Sequence, residues 1–236
     1  DYPDIPQNSF TAKVTPATLT ITPQLEQTEK AYDGTAALTD AQEEGLSFQV
    51  STGETGEEIK VTGHSAAYDS ANATENNGAT EIDFTYTVDF GTTKASNYEY
   101  AGVPLADGTQ QLTGSMDGTL APKAIQVLIL DQTQTYDGVD WSGRVGQDEI
   151  THWTVPAGAV ESPNGTPDVL DIVLSIPADS IHQGTYPITG ACNNRNYAAT
   201  FRNQDGSETT GTFTVSRRPI TVQIGEDTGI YGEPYT

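Results

Sequence analysis

The chain is patterned in twos. Ile82, Phe84, Tyr86, Val88 and Phe90 alternate with Asp83, Thr85, Thr87 and Asp89, the period of a strand with one buried face. Leu19 and Ile21 alternate with threonine over Thr18–Thr22, and Leu170, Ile172, Leu174 and Ile176 alternate further on. Shorter runs at Leu46–Val50, Ile59–Thr62, Ile125–Leu130, Ile150–Val155, Gly184–Ile188, Phe201–Asn203 and Thr210–Val215 read as strands too, the last two as a closing hairpin. Asp107-Gly108, Asp117-Gly118 and Asn164-Gly165 are turn or bulge signals, and residues 69–79 read as a loop within an insertion around residues 64–80. Many short strands and no long helical stretch predict an all-β chain of β-sandwich, immunoglobulin-like units. A β-grasp-like unit, a sheet on one short helix, is the alternative. Only residues 35–45 and 139–149 have room for that helix.

The pattern also recurs on a longer scale. Leu19-Thr20-Ile21 is followed by Tyr32-Asp33-Gly34, Ile125-Gln126-Val127 by Tyr136-Asp137-Gly138, and Ile220-Thr221-Val222 by Tyr231-Gly232-Glu233-Pro234. Asn97-Tyr98 in the first copy is matched by Asn196-Tyr197 in the second. Self-similarity of this kind means tandem structural units. The division it predicts is a closing strand of a preceding repeat or a tail over residues 1–15, a first repeat over 16–123, a second over 124–218, and the opening strand of a truncated third over 219–236. The joints are short and hold Pro16, Pro122 and Pro219. Proline restricts the chain it sits in, so consecutive units are expected end to end.

Within the motif, aspartate can bond the backbone two residues on and glycine supplies a positive φ. The tyrosine ahead of them can bury its ring and bond through its hydroxyl. Tyr32, Asp33, Gly34, Asn97, Tyr98, Tyr136, Asp137, Gly138, Tyr186, Asn196 and Tyr197 are therefore read as a structural motif. Gly34 and Gly138 are expected in positive-φ turns.

Charge narrows the partners. The chain has 33 acidic and 10 basic residues, a net charge of −23. Such a surface is repelled by nucleic acid and by anionic lipid, and no apolar run reaches the ~20 residues of a membrane-spanning helix. A single cysteine, Cys192, excludes an intrachain disulfide. His64, His152 and His182 are scattered, without the spacing of a metal site. No nucleophile elbow or phosphate-binding glycine loop occurs, and no pair of carboxylates stands out for glycosidase chemistry. No enzyme activity and no cofactor is expected. Trp141 and Trp153 are the candidate ligand-contacting residues, either as a sugar-stacking platform or as core anchors.

The Tyr-Asp-Gly tripeptides, the Gly184-Thr185-Tyr186 and Asn-Tyr motifs, and the closing Gly-Thr-hydrophobic strands resemble the YDG and MBG-type repeats of large, adhesin-like bacterial cell-surface proteins. The resemblance covers residues 16–236 and supplies no catalytic residues. It implies an extracellular, surface-anchored stalk, spacer or adhesive module. Its partners would be neighbouring repeats of the same polypeptide and a host protein or glycan. A carbohydrate-binding module is the alternative function.

Overall fold

The computed structural model describes residues 13–73, 79–145, 152–207, 210–225 and 231–232. The protein is all-β. Its contacts divide it into two compact units. The described residues of the first are drawn from Asp1–Ala124, Glu161–Val169 and Asn194–Ala198, and those of the second from Ile125–Val160, Leu170–Asn193 and Ala199–Thr236.

The first unit holds β1 (Ala17–Gln24), β2 (Glu29–Ala31), β3 (Ser47–Ser51), β4 (Lys60–Tyr68), β5 (Ala79–Asp89), β6 (Tyr98–Tyr100), β7 (Val103–Pro104) and β8 (Gln110–Ala121). Two four-stranded sheets form, in the orders β3-β1-β6-β7 and β2-β8-β5-β4. β5 carries the strongest alternation and is the inner strand against which β4 and β8 lie antiparallel. Its inward row of Ile82, Phe84, Tyr86 and Val88 joins Leu19 and Ile21 of β1, Tyr98 of β6, and Leu112 and Leu120 of β8 in one buried cluster. Both sheets feed that core.

Two glycines make the packing possible. Glycine stands at position 114 of β8 because a Cβ there would lie 2.7 Å from the Tyr86 hydroxyl oxygen. Gly118 corrects a turn expectation. Asp117-Gly118 lies inside β8, opposite Thr80 and Glu81, and a Cβ on Gly118 would meet Ile82 Cγ1 at 2.8 Å. The residue provides close approach within a strand, not a reversal. Residues 64–68, expected within an insertion, continue β4.

One short helix, α1 (Asp40–Gly45), falls in the first of the two stretches with room for it. It is set by a capping box: the Gln42 N–H donates to Thr39 Oγ1 at 3.3 Å and the Thr39 N–H to Gln42 Oε1 at 3.0 Å. Gln42 is buried, and its side-chain amide donates to the Tyr68 hydroxyl at 2.9 Å and the Gln27 carbonyl at 3.0 Å.

The second unit continues with β9 (Lys123–Ile129), β10 (Gln132–Thr135), β11 (Trp153–Thr154), β12 (Ile172–Ser175), β13 (Gly184–Pro187), β14 (Thr189–Cys192), β15 (Tyr197–Asn203) and β16 (Thr212–Ser216), the first two residues of β9 and of β15 grouping with the first unit. The sheets run β10-β16-β13, β11-β9-β15 and β12-β14. β13, with Pro187, is an edge strand, as its proline requires. β15 and β16 belong to different sheets, so the expected closing hairpin does not form. The core is Ile129, Trp141, Val145, Leu174, Ile176, Ile188, Phe213 and Val215.

The two units share a construction. β2 lies parallel to β8 with Ala31 opposite Ala121, and β10 lies parallel to β16 with Thr135 opposite Ser216. In each, the next residue is the motif tyrosine. The Tyr32 N–H donates to the Ala121 carbonyl and the Tyr136 N–H to the Ser216 carbonyl, both at 2.8 Å.

Candidate functional site

Both Tyr-Asp-Gly motifs fold into the same turn. Asp33 Oδ1 accepts from the Thr35 N–H at 2.9 Å and Asp137 Oδ1 from the Val139 N–H at 3.0 Å. Gly34 and Gly138 follow with φ of 81° and 82°, values that glycine adopts without the Cβ penalty.

The cation served by each aspartate differs. In the first unit it is Lys30, one strand position before Ala31 and buried. Its ammonium donates to Asp33 Oδ1 at 2.9 Å and Oδ2 at 3.1 Å, and to the carbonyls of Thr35 at 2.9 Å and Ala37 at 2.7 Å. It also lies 5.4 Å from the centre of the Tyr68 ring. Burial alone would raise the Asp33 pKa, but the hydrogen bonds from Lys30 and Thr35 outweigh it and hold the carboxyl below its ordinary range. In the second unit Arg144 takes this part. Its Nη1 donates to Asp137 Oδ2 at 2.7 Å, which lowers the Asp137 pKa. Its guanidinium stacks 3.6 Å over the Trp141 ring.

The tyrosines differ more. Tyr32 is 3% exposed. Its hydroxyl donates to Asp168 Oδ2 at 2.7 Å, and the Tyr197 hydroxyl donates to the same oxygen at 2.7 Å. The Glu161 N–H donates to the Tyr197 hydroxyl at 2.9 Å. The two rings meet edge to face at 5.5 Å, and Glu161 is paired with Lys123. Asn196 completes the first unit's cluster. Its Oδ1 accepts from the Ala73 N–H and its Nδ2 donates to Asn72 Oδ1, each at 2.9 Å. Burial first, then the Asp168 carboxylate, push the Tyr32 phenol up to about 12 and raise Tyr197 as well.

Tyr98 is buried and bonds Glu57. Neighbouring Asn97 is exposed. The Tyr186 hydroxyl donates to the His182 carbonyl at 2.9 Å. Tyr136 keeps the turn but not the cover, and is 37% exposed.

Sequence reasoning missed Lys30, Lys123, Glu161, Asp168 and Glu57. None sits in a recurring motif, and a lysine or glutamate in a polar stretch reads as a solvated charge.

Trp141 is 7% exposed and packs on Phe213 at a ring distance of 5.6 Å, so its ring faces the core. Trp153 is half-buried against the same cluster. Among the described residues no group of three or more His, Cys, Asp or Glu side chains is placed to hold a metal ion, and no helix is long and apolar enough to cross a membrane.

Residues 15–104 match the family model of the YDG domain. The chain contains a YDG domain. No curated protein matches the chain. The YDG match runs from β1 through β7 and stops before β8, the strand that receives the Tyr32 N–H. The second unit repeats the YDG turn and its parallel strand pairing outside the matched stretch.

Proposed function

We propose that this chain is a non-catalytic, extracellular repeat module of a bacterial surface protein, serving as a stalk, spacer or adhesive domain. One observation carries the reading. Most of the residues that recur along the chain are taken up by the fold: Tyr32, Tyr98 and Tyr197 are buried, Asp33 and Asp137 cap turns, and Gly34 and Gly138 hold positive φ. Recurrence therefore encodes an architecture, as it does in repeat arrays. It does not encode a set of converging reactive groups.

The acidic charge of −23 supports a soluble, exposed setting and disfavours nucleic acid and anionic lipid as partners. Neighbouring repeats are the first partners of such a module, with a host protein or glycan as the outside one. The carbohydrate-binding alternative gains nothing from Trp141, whose ring is buried.

Protease shaving of intact producing cells tests the placement. Peptides of this chain should be released from living cells before any cytoplasmic marker. Release only after lysis would overturn it.

A further inference from the structure

In the first unit the YDG tyrosine is covered by Glu161–Val169 and Asn194–Ala198, stretches that come after the second YDG motif in the chain. They bring Asp168 and Tyr197 onto Tyr32, and Glu161 onto Lys123. The second unit presents the same surface without a cover. Tyr136 is anchored to the Ser216 carbonyl as Tyr32 is to that of Ala121, yet its ring is 37% exposed against 3%. Arg218 stands two residues after Ser216, as Lys123 stands two after Ala121, and is exposed. Tyr136, Arg217, Arg218 and Ile220 line a mainly apolar cleft of about 620 Å³.

The next stretch is uncovered as well. Ile125, Val127 and Ile129 of β9 are buried. Ile220, Val222 and Ile224 repeat their spacing, but they are 83%, 74% and 91% exposed and belong to no strand. A strand-patterned apolar row and an apolar cleft with two arginines thus lie open side by side in the chain, in the register that is closed one repeat earlier.

We propose that Tyr136, Arg218 and residues 220–224 are the docking surface for the following repeat of the same polypeptide, the one that opens at Pro219. That repeat pairs 220–224 into its own sheet. It lays a loop over Tyr136 with a carboxylate accepting from the tyrosine hydroxyl and a second carboxylate meeting Arg218. The charge fits, since the cover of the first unit carries Asp168 and Glu161 and the cleft carries Arg217 and Arg218. The inference rests on the repeat reading of this chain and adds a residue-level rule: each YDG tyrosine is sealed by the repeat after it.

The test compares this 236-residue chain with the same polypeptide carried to the end of the repeat that opens at Pro219. Tyrosine nitration mapped by mass spectrometry is read beside amide hydrogen exchange over 220–224. Tyr136 should react at least about tenfold more slowly in the longer chain, and 220–224 should become protected. Tyr32 should stay unreactive in both, which controls for folding. Arg218→Glu in the longer chain should restore Tyr136 reactivity while 220–224 stay protected. If 220–224 are protected but Tyr136 reacts equally in both chains, the docking proposal is wrong and the repeat reading stands. If 220–224 also exchange freely, or the polypeptide completes no third repeat, both fail. Protection of Tyr136 in the 236-residue chain that grows with concentration would make a second copy the occupant and overturn the proposal.

Discussion

Lys30→Met is the sharpest probe of what the YDG turn needs. The lysine side chain is 3% exposed and satisfies Asp33 together with the carbonyls of Thr35 and Ala37. Methionine keeps most of the volume and removes every donor. Asp33 is 43% exposed, so water recovers part of what its carboxylate loses, and the ion pair alone is worth little. The two carbonyls are different. Bonds to a charged donor contribute about 1.5–3 kcal/mol each, and both carbonyls lie in part-buried bonds, where water recovers only some of the loss. The expected loss is about 3 kcal/mol, or a fall of roughly 10 °C in the melting of a unit this size. Both tryptophans lie in the second unit, so a readout within the first unit is needed. Hydrogen exchange of β5 and β8 in increasing urea provides it. The sign with pH is fixed. Asp33 has its pKa lowered in the fold, so its contribution is present above its unfolded value and fades as pH falls through the folded one. Wild type should therefore lose an acid-sensitive increment that Lys30→Met lacks. A loss below about 0.5 kcal/mol, the scatter of ordinary surface substitutions, would refute the reasoning.

Other substitutions separate backbone from packing. Gly138→Val should cost the second unit about 1 kcal/mol or more by tryptophan fluorescence, from strain at positive φ alone, since no atom outside the turn comes nearer than Tyr136 Oη at 3.9 Å from the added Cβ. Gly34→Val should cost more, because its Cβ would also press on Pro163 at 3.3 Å. Trp141→Ala should destabilise the second unit by about 3–5 kcal/mol in denaturant unfolding. With its phenol raised to about 12 in the fold, Tyr32 stabilises below its unfolded value near 10, and that contribution is lost as pH rises through the folded one. Asp168→Asn should bring the Tyr32 transition down in ultraviolet titration and weaken this alkaline dependence.

The strands were legible wherever alternation was strict, as in β5, because a pleated strand with one buried face leaves no other solution. The turns at Gly34 and Gly138 were legible because aspartate and glycine each have a local reason to be there. Asp117-Gly118 carries the same local signal, yet close approach of Ile82 demands the glycine and the strand runs through it. Lys30 reads as a solvated charge, and only the convergence of Asp33 with two carbonyls from the following loop buries it. The Asp168 cluster was least legible. Its parts are separated by 136 residues between Tyr32 and Asp168, and nothing local marks an aspartate as the acceptor for two distant tyrosines.

On the proposed reading the recurring YDG residues serve the fold and not a ligand. The direct measurement takes wild type, Asp33→Asn, Gly34→Val and Gly138→Val. It reads each variant's melting temperature beside its retention on an array of glycans and matrix proteins, at a temperature where all remain folded. Melting should fall by several degrees, with any retention unchanged. Variants that melt like wild type but lose retention would contradict it.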